Sequence, residues 1–261
     1  MPSNLKNYLN KEAKTKHLNS DSNFQFTCSG NCWGTCCIKE NVVLLQLSVY
    51  DVYKLLNKRT DQSTLDLIQI KIDEDTNFPK AYIKWKKNGW CPNLEENGAC
   101  KIYMDRPFAC RIFPLSAEFK INDATKTISV DYKLRENLCF GFHKEAEPIK
   151  QTLKHFLNTD DFETHEQFEK LEILKRDEWL KKYNIKELSN KQVHSLAQTL
   201  YCLRDKVLNK DAYFFDIYSE MLNIPKRLMS IENFTIQEIS KLALEVFTPR
   251  LLEKFTSQKK E

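Results

Sequence analysis

Two short stretches hold most of the cysteines of this chain. Residues 28–37 read CSGNCWGTCC, and residues 91–114 read CPNLEENGACKIYMDRPFACRIFP. Closely spaced cysteines interrupted by glycine let a loop direct several sulfurs at one ion. The sequence therefore predicts a metal site. The eight cysteines predicted as its ligands are Cys28, Cys32, Cys36, Cys37, Cys91, Cys100, Cys110 and Cys139, and the ninth of the chain is Cys202.

Composition narrows the setting in which these cysteines work. Residues 1–6 are polar and lack the apolar core of a signal peptide, so we expect a cytoplasmic protein. In a reducing compartment, dense cysteines indicate metal binding or catalysis rather than a disulfide framework. No apolar run approaches the roughly 18 residues of a membrane span. The formal charge of the 261 residues is only +4, which gives no strong case for nucleic acid. We expect neither a membrane nor a nucleic-acid partner.

The number of thiols does not identify the metal. Eight thiols fit two four-cysteine zinc sites, or one [4Fe–4S] cluster with spare cysteines. Neighbouring side chains in an extended segment point to opposite faces, so Cys36 and Cys37 are expected to serve one small tetrahedral ion poorly. His143 is the histidine nearest to a predicted ligand, and an exposed imidazole is its simpler interpretation. Lys101, Arg106 and Arg111 are either cations that favour nearby thiolates or ordinary surface charges.

The patterning predicts an α+β fold in which a cysteine-rich metal-binding module with short antiparallel hairpins is followed by an all-helical region. We expect a polar segment at residues 1–23, forming a short helix or a loose tail, the module at 24–145 and the helical region at 146–261. Within the module, the pattern predicts a strand at 42–47, a helix from Ser48 to Asn57, a turn at Asn88-Gly89 after an alternating segment at 81–86, and a hairpin at 118–134.

Helical periodicity dominates the second half of the chain, which contains no glycine after Gly141. Ser189 and Thr235 are predicted N-caps. Cys202 and the aromatic residues at 213–218 are interpreted as core residues. The predicted helices span 162–183, 191–208, 212–222 and 236–255.

The two cysteine stretches resemble the YkgJ-type cysteine-cluster family, which is described as a zinc- or iron-chelating domain and includes the flagellin lysine N-methylase FliB. The second stretch carries the more specific pattern, Cys-Pro-x-Leu-Glu-Glu-Asn-Gly-x-Cys-x-Ile-Tyr-x-x-Arg-Pro-x-x-Cys-Arg-x-Phe-Pro at 91–114. Cys139-x-Gly141 is similar to the closing element of the family. The first stretch spaces Cys28, Cys32 and Cys36 by three residues, where most of the family has two. Residues 26–30, FTCSG, are closer to the opening of FliB.

The resemblance implies a zinc ion or an iron–sulfur centre held by these cysteines. For the FliB branch it also implies methyl transfer from S-adenosylmethionine to lysine side chains of a protein such as flagellin. Residue patterns support only the metal centre, since no strand, glycine-rich loop and helix of a nucleotide-binding fold is recognised. The alternative is a non-catalytic protein in which the metal is structural and the helical half binds a partner.

Overall fold

The structure is a computed structural model, and it describes residues 15–19, 21–28, 34–39, 45–57, 63–135, 140–142, 147–158, 161–203, 205 and 235–257. The fold is α+β, with short antiparallel sheets and a helical region, as the sequence predicts. None of the helices in these ranges combines the length and the apolar character needed to cross a membrane. The strands are β1 Thr15–Leu18, β2 Asn23–Phe26, β3 Gln46–Leu47, β4 Ile68–Ile72, β5 Pro79–Ile83, β6 Leu115–Asn122, β7 Thr127–Arg135 and β8 Ile149–Thr152.

Helices of three kinds complete the described fold. The α-helices are α1 Val49–Asn57, α2 Thr64–Leu67, α3 Phe108–Ile112, α4 Leu153–Leu157, α5 Phe162–Lys182, α6 Asn190–Tyr201, α7 Ile236–Lys241 and α8 Thr248–Ser257. Single 3-10 turns occur at Thr35–Cys37, Tyr103–Asp105, Phe140–Phe142 and Ile185–Glu187. A π-helical turn, Leu242–Phe247, separates α7 from α8.

The chain divides into two compact units. Unit 1 comprises the described residues within Met1–Leu45 and Trp85–Leu174, and unit 2 those within Gln46–Lys84 and Lys175–Glu261. These units interleave along the chain, whereas the predicted boundary at residue 145 divides it once. The division into a metal-binding module and a helical region is a functional one, and it remains a prediction.

Unit 1 is built on a three-stranded antiparallel sheet in the order β1-β7-β6 and a separate pair, β2-β8. The predicted hairpin at 118–134 is confirmed: β6 and β7 pair from Leu115 opposite Leu134 to Asn122 opposite Thr127. Aromatic side chains from both sheets and from α3 fill the core beneath them. Phe26, for example, packs against the rings of Phe142 and Phe156 at centroid distances of 5.3 and 6.0 Å.

The expectation of a helix or loose tail over residues 1–23 is wrong at its end. Residues 15–18 form β1, which pairs with the distant strand β7 so that Leu18 lies opposite Tyr132. Leu18 is buried in the core of unit 1. The local pattern of this polar segment does not predict a strand. Burial of Leu18 and backbone pairing with β7 stabilise it as one.

Unit 2 combines the sheet β3-β5-β4 with helices α1, α2, α6, α7 and α8. The predicted N-caps are confirmed, since the hydroxyls of Ser189 and Thr235 accept from the backbone N–H groups of Gln192 and Glu238. Helix α1 begins after Ser48, as predicted. Strand β5 pairs with β3 and β4, which both precede it in the chain. The predicted turn at Asn88-Gly89 is present, and the N–H of Lys86 donates to the carbonyl oxygen of Trp90 across it.

A proline explains why the predicted helix at 236–255 contains a π-helical turn. Pro249 has no N–H and its ring crowds the carbonyl four residues earlier, so regular α-helical bonding fails there. The preceding residue, Thr248, donates its N–H to the carbonyl oxygen of Ala243, five residues back. The chain therefore absorbs the proline by widening one turn.

Several predictions fall outside the described residues. They are the first part of the strand at 42–47, the helix at 212–222 with its aromatic residues, His143, and the ligands Cys32 and Cys139.

Candidate metal centre

The first cysteine pair lies on a tight 3-10 turn. Thr35–Cys37 begins after Gly34, whose φ is +88°, and the N–H of Cys37 closes the turn on the carbonyl oxygen of Gly34 at 2.9 Å. The Sγ atoms of Cys36 and Cys37 are 4.0 Å apart. The expectation that adjacent cysteines diverge is wrong here, because it assumed an extended segment whereas the chain is helical.

Two features favour glycine at position 34. Its positive φ is one that side chains with a Cβ adopt at a cost. A Cβ placed there would also lie 3.1 Å from Cδ1 of Leu94. Leu94 is buried within the second cysteine stretch, so this close approach brings the two stretches together.

Backbone pairing joins Cys37 to Cys91. Ile38 and Trp90 form an antiparallel bridge, flanked by the bond from the N–H of Cys91 to the carbonyl oxygen of Cys37 at 2.8 Å. On the other side, Lys39 N–H donates to Gly89 at 2.8 Å. The thiols of Cys37 and Cys91 also share a hydrogen bond. Two residues separated by 53 others in the chain thus become neighbours.

A compact loop brings Cys100 to the same place. Leu94 and Cys100 form an antiparallel bridge. The sulfur of Cys91 accepts from the backbone N–H of Asn93, and that of Cys100 accepts from the N–H of Ile102. Each sulfur therefore receives an N–H from the residue two positions later. Such bonds favour the thiolate over the thiol, and the thiolate is the form that binds a metal.

The two arginines of the motif hold the turn that follows Cys100. Arg106 donates from Nε to the carbonyl oxygen of Tyr103 at 2.8 Å and stacks over the Tyr103 ring at 3.9 Å. Arg111 donates to the carbonyl oxygen of Met104 at 2.6 Å. The sequence offered two interpretations, a balancing charge and an ordinary surface charge. The structure adds a third, because both guanidinium groups fasten the Tyr103–Asp105 turn between Cys100 and Cys110.

The thiols influence one another electrostatically. The hydrogen bond from Cys37 lowers the pKa of Cys91, and the N–H of Asn93 and the ammonium group of Lys86 act in the same direction. Hydrogen bonds to Cys36 and Cys91, together with burial, raise the pKa of Cys37 far above its usual range. Burial raises the pKa of Cys100, and the charges of Cys91 and Cys36 add to this, against the positive charge of Arg106. Thiolates that raise one another's pKa in this way are ionised together more readily beside a bound cation.

Lys86 is a contributor that the sequence analysis missed. It lies at the start of the Asn88-Gly89 turn, and its backbone N–H donates to the carbonyl oxygen of Trp90 across that turn. Its ammonium group donates to the carbonyl oxygen of Leu94 at 3.4 Å. The turn signal places position 86 near Cys91 and is the cue that could have identified it.

Two further predicted ligands, Cys28 and Cys110, lie in other segments of unit 1. Cys28 follows β2 and is exposed, and Cys110 is half-buried in α3. Among the residues that the structure describes, no three cysteine sulfurs lie mutually within 4.8 Å. Cys202 is buried in unit 2, as expected of a core residue.

A close backbone contact links Thr27, the residue before Cys28, to Gly141, two residues after Cys139. The N–H of Thr27 donates to the carbonyl oxygen of Gly141 at 3.1 Å. A Cβ on residue 141 would lie only 2.4 Å from the carbonyl oxygen of Thr27, so glycine alone permits this approach. The glycine of the Cys-x-Gly pattern thus contacts the residue that precedes the first cysteine stretch.

The thiols of Cys36 and Cys37 have the separation expected of two ligands of one tetrahedral ion. Zinc–sulfur bonds of about 2.3 Å in a tetrahedron place the sulfurs about 3.8 Å from one another. The 4.0 Å between the sulfurs of Cys36 and Cys37 is close to that value. Soft thiolate donors in this number are also those that select zinc or iron.

Comparison with known proteins supports the same chemistry. Residues 27–156, just under half of the chain, match the model of the CxxCxxCC family, whose description is "Putative zinc- or iron-chelating domain". The match supports the family that the cysteine pattern predicts, and with it a metal-binding function for this segment. No curated protein and no solved structure was found to match the chain.

Proposed function

We propose that unit 1 binds one zinc ion through Cys36, Cys37, Cys91 and Cys100. The 4.0 Å separation of the Cys36 and Cys37 sulfurs carries the proposal, because it suits two ligands of the same ion. In a [4Fe–4S] cluster each thiolate binds a different iron, so its ligand sulfurs lie farther apart than those around one ion. The two backbone N–H groups that donate to Cys91 and Cys100 support a thiolate-rich site.

The proposed role of the ion is structural. A zinc ion held by four protein thiolates has no open position for a substrate. Its ligands come from two stretches separated by 53 residues, and an ion that closes so long a loop offsets several kcal/mol of chain entropy. By number, Cys28, Cys32, Cys110 and Cys139 would suffice for a second four-cysteine site. The approach of Gly141 to Thr27 supports that arrangement.

Protein-lysine methylation is the second candidate function. Its support is the FTCSG sequence at 26–30, which is similar to the opening of FliB. In this interpretation S-adenosylmethionine supplies a methyl group to lysine side chains of a protein such as flagellin, and the metal centre maintains the fold around that reaction. Transfer of labelled methyl groups from S-adenosylmethionine to flagellin by the purified chain would establish it. Absence of S-adenosylmethionine binding would leave the structural role alone.

The test of the metal assignment combines content, colour and bond length. The purified chain should contain zinc and be colourless, and X-ray absorption at the zinc edge should show sulfur neighbours at about 2.3 Å. A brown protein with iron and inorganic sulfide would overturn the zinc assignment in favour of an iron–sulfur cluster. A mononuclear iron centre would keep the four-thiolate geometry and change the ion.

A further inference from the structure

Cys37 and Cys91 face each other across the short ladder that joins the two cysteine stretches. The bridge between Ile38 and Trp90, with hydrogen bonds of 2.8 Å on either side, sets the register. In this register Cys37 lies opposite Cys91, and the thiols of the two residues share a hydrogen bond. The Cα atoms of such a pair are about 5.5 Å apart, within the range of roughly 4.4–6.8 Å that disulfides span.

The neighbouring thiol of Cys36 is a poorer partner for Cys37. The Cα atoms of adjacent residues are about 3.8 Å apart, below the usual span of a disulfide. Joining these two sulfurs would also disturb the 3-10 turn, which the bond from Cys37 to Gly34 holds at 2.9 Å. Joining Cys37 to Cys91 requires no change of register, because the thiols already share a hydrogen bond.

We propose that Cys37 and Cys91 form a reversible disulfide under peroxide, and that this bond expels the zinc ion. The expulsion rests on the proposed zinc site, whereas the disulfide rests on the cross-strand geometry alone. Pairing these two sulfurs removes two of the four thiolate donors. The two that remain, on Cys36 and Cys100, are too few to complete a tetrahedral protein site. Exposure to peroxide therefore releases the zinc ion.

The chemistry balances with hydrogen peroxide as the oxidant. One thiolate attacks the O–O bond and becomes a sulfenic acid, and the leaving hydroxide takes a proton to give water. The second thiolate attacks the sulfenic sulfur, the S–S bond forms, and the displaced hydroxide is protonated to a second water. The two thiols lose two electrons and two protons, which the peroxide receives. A dithiol reductant reverses the change and restores both ligands.

Access for the oxidant comes from the exposed side of the turn. Cys36 is exposed, and Cys37 and Cys91 are partly buried. The Cys37 sulfur lies 4.0 Å from the sulfur of Cys36, an exposed residue, so a molecule as small as peroxide has a short path to it. Larger thiol reagents should react with Cys36 first.

The experiment treats the zinc-loaded full chain with one equivalent of hydrogen peroxide and follows zinc with a chromogenic chelator. Non-reducing trypsin digestion and mass spectrometry then locate the disulfide. Trypsin should release residues 17–39 and residues 88–101 as separate peptides, which a bond between Cys37 and Cys91 would link. We expect the linked pair to appear as zinc is released, and dithiothreitol to reverse both.

Matched variants decide which sulfurs react, because each peptide contains more than one cysteine. The linked pair should persist in Cys36→Ser and in Cys100→Ser and should vanish in Cys37→Ser and in Cys91→Ser. All four variants are first reduced and freed of metal, and peroxide is then added. Differences in their affinity for zinc therefore do not affect the comparison. Cys202→Ser should behave like the parent chain.

The outcomes separate this inference from the proposed function. If the chain binds no zinc when the ion is supplied and the link between 17–39 and 88–101 still forms under peroxide, the disulfide is supported and the zinc site is refuted. Bound zinc that withstands peroxide, or a first disulfide between Cys36 and Cys37, would overturn the inference and leave the zinc site standing.

Discussion

The backbone N–H of Cys91 donates a 2.8 Å hydrogen bond to the carbonyl oxygen of Cys37. This bond, with the bridge beside it, fixes the distance between the two cysteine stretches before any ion is considered. Main-chain pairing therefore brings together the two stretches that carry the proposed zinc ligands.

Cysteine-to-serine substitutions should distinguish the proposed zinc ligands from the other cysteines of the chain. Cys37→Ser, Cys91→Ser and Cys100→Ser should each lower the zinc content, because each removes a thiolate from the four-sulfur group. Cys202→Ser should leave the content unchanged, since Cys202 is buried in unit 2. Zinc per chain, measured by elemental mass spectrometry, checks this. Equal loss in Cys202→Ser would contradict the assignment.

Substitution of Gly34 should weaken zinc binding in a graded way. Gly34→Asn keeps a side chain that tolerates positive φ, whereas Gly34→Val does not. Both add a Cβ near Leu94, so both should reduce affinity, but valine should add a further penalty of about 1–2 kcal/mol, roughly a 5- to 30-fold change. Competition with a chelator of known affinity measures the series. Equal effects of the two substitutions would argue against backbone strain as the cause.

Arg106 should resist conservative replacement. Its guanidinium bonds the Tyr103 carbonyl and stacks on the Tyr103 ring, which a lysine ammonium cannot reproduce together. Arg106→Lys and Arg106→Ala should therefore both speed zinc removal by a chelator, by roughly similar factors of up to about ten. Lys101→Ala, a loss of charge beside the same cysteine, is the control and should change the rate little. Full rescue by lysine would return Arg106 to the role of a simple charge.

Asn77 should matter for unit 2 without affecting the metal. At a φ of 58°, its side-chain amide donates to the carbonyl oxygens of Ile185 and Leu188 at 3.1 Å each and approaches that of Lys186 at 3.4 Å. Asn77→Gly keeps the backbone conformation and removes these bonds, so it should lower the free energy of unfolding by about 1–3 kcal/mol. Urea denaturation measures this change. Zinc content, measured in parallel, should equal that of the parent chain.

The stability of unit 2 should depend on pH through Asp73. Hydrogen bonds from Lys80 and Thr76 lower the pKa of Asp73 from 3.8 to about 2. A carboxyl whose pKa is depressed on folding stabilises the protein above its unfolded pKa, and this contribution is lost as the pH falls from about 4 towards 2. Asp73→Asn should flatten the fall of the thermal midpoint in that window. An unchanged slope would show that other carboxyls account for it.

Local signals predicted the elements whose causes are local. Ser189 and Thr235 cap their helices from positions three residues before their partners, and the hairpin of β6 and β7 follows from alternation around a polar turn. Strand β1 was missed because its partner, β7, lies more than 100 residues away. For the same reason the sequence listed the cysteines but could not pair Cys37 with Cys91.

The roles of the motif arginines were beyond sequence reasoning for another reason. Arg106 and Arg111 use the carbonyl oxygens of Tyr103 and Met104 as acceptors. Every residue carries such an oxygen, so side-chain identities do not show which one is used. The 4.0 Å approach of Cys36 to Cys37 likewise depends on a 3-10 turn that Gly34 starts, and the spacing of the cysteines does not specify it.

The interleaving of the two units sets an order on synthesis by the ribosome. Residues 46–84, which belong to unit 2, are made between the stretch that holds Cys37 and the one that holds Cys91. At about 5–20 residues per second, the first thiols wait on the order of 3–10 s for their partners. During that interval the nascent chain carries reduced, uncommitted cysteines, and an ion captured early could be shared with the wrong sulfurs. Slow translation or an oxidant present at this stage would therefore damage the nascent chain more than the folded protein.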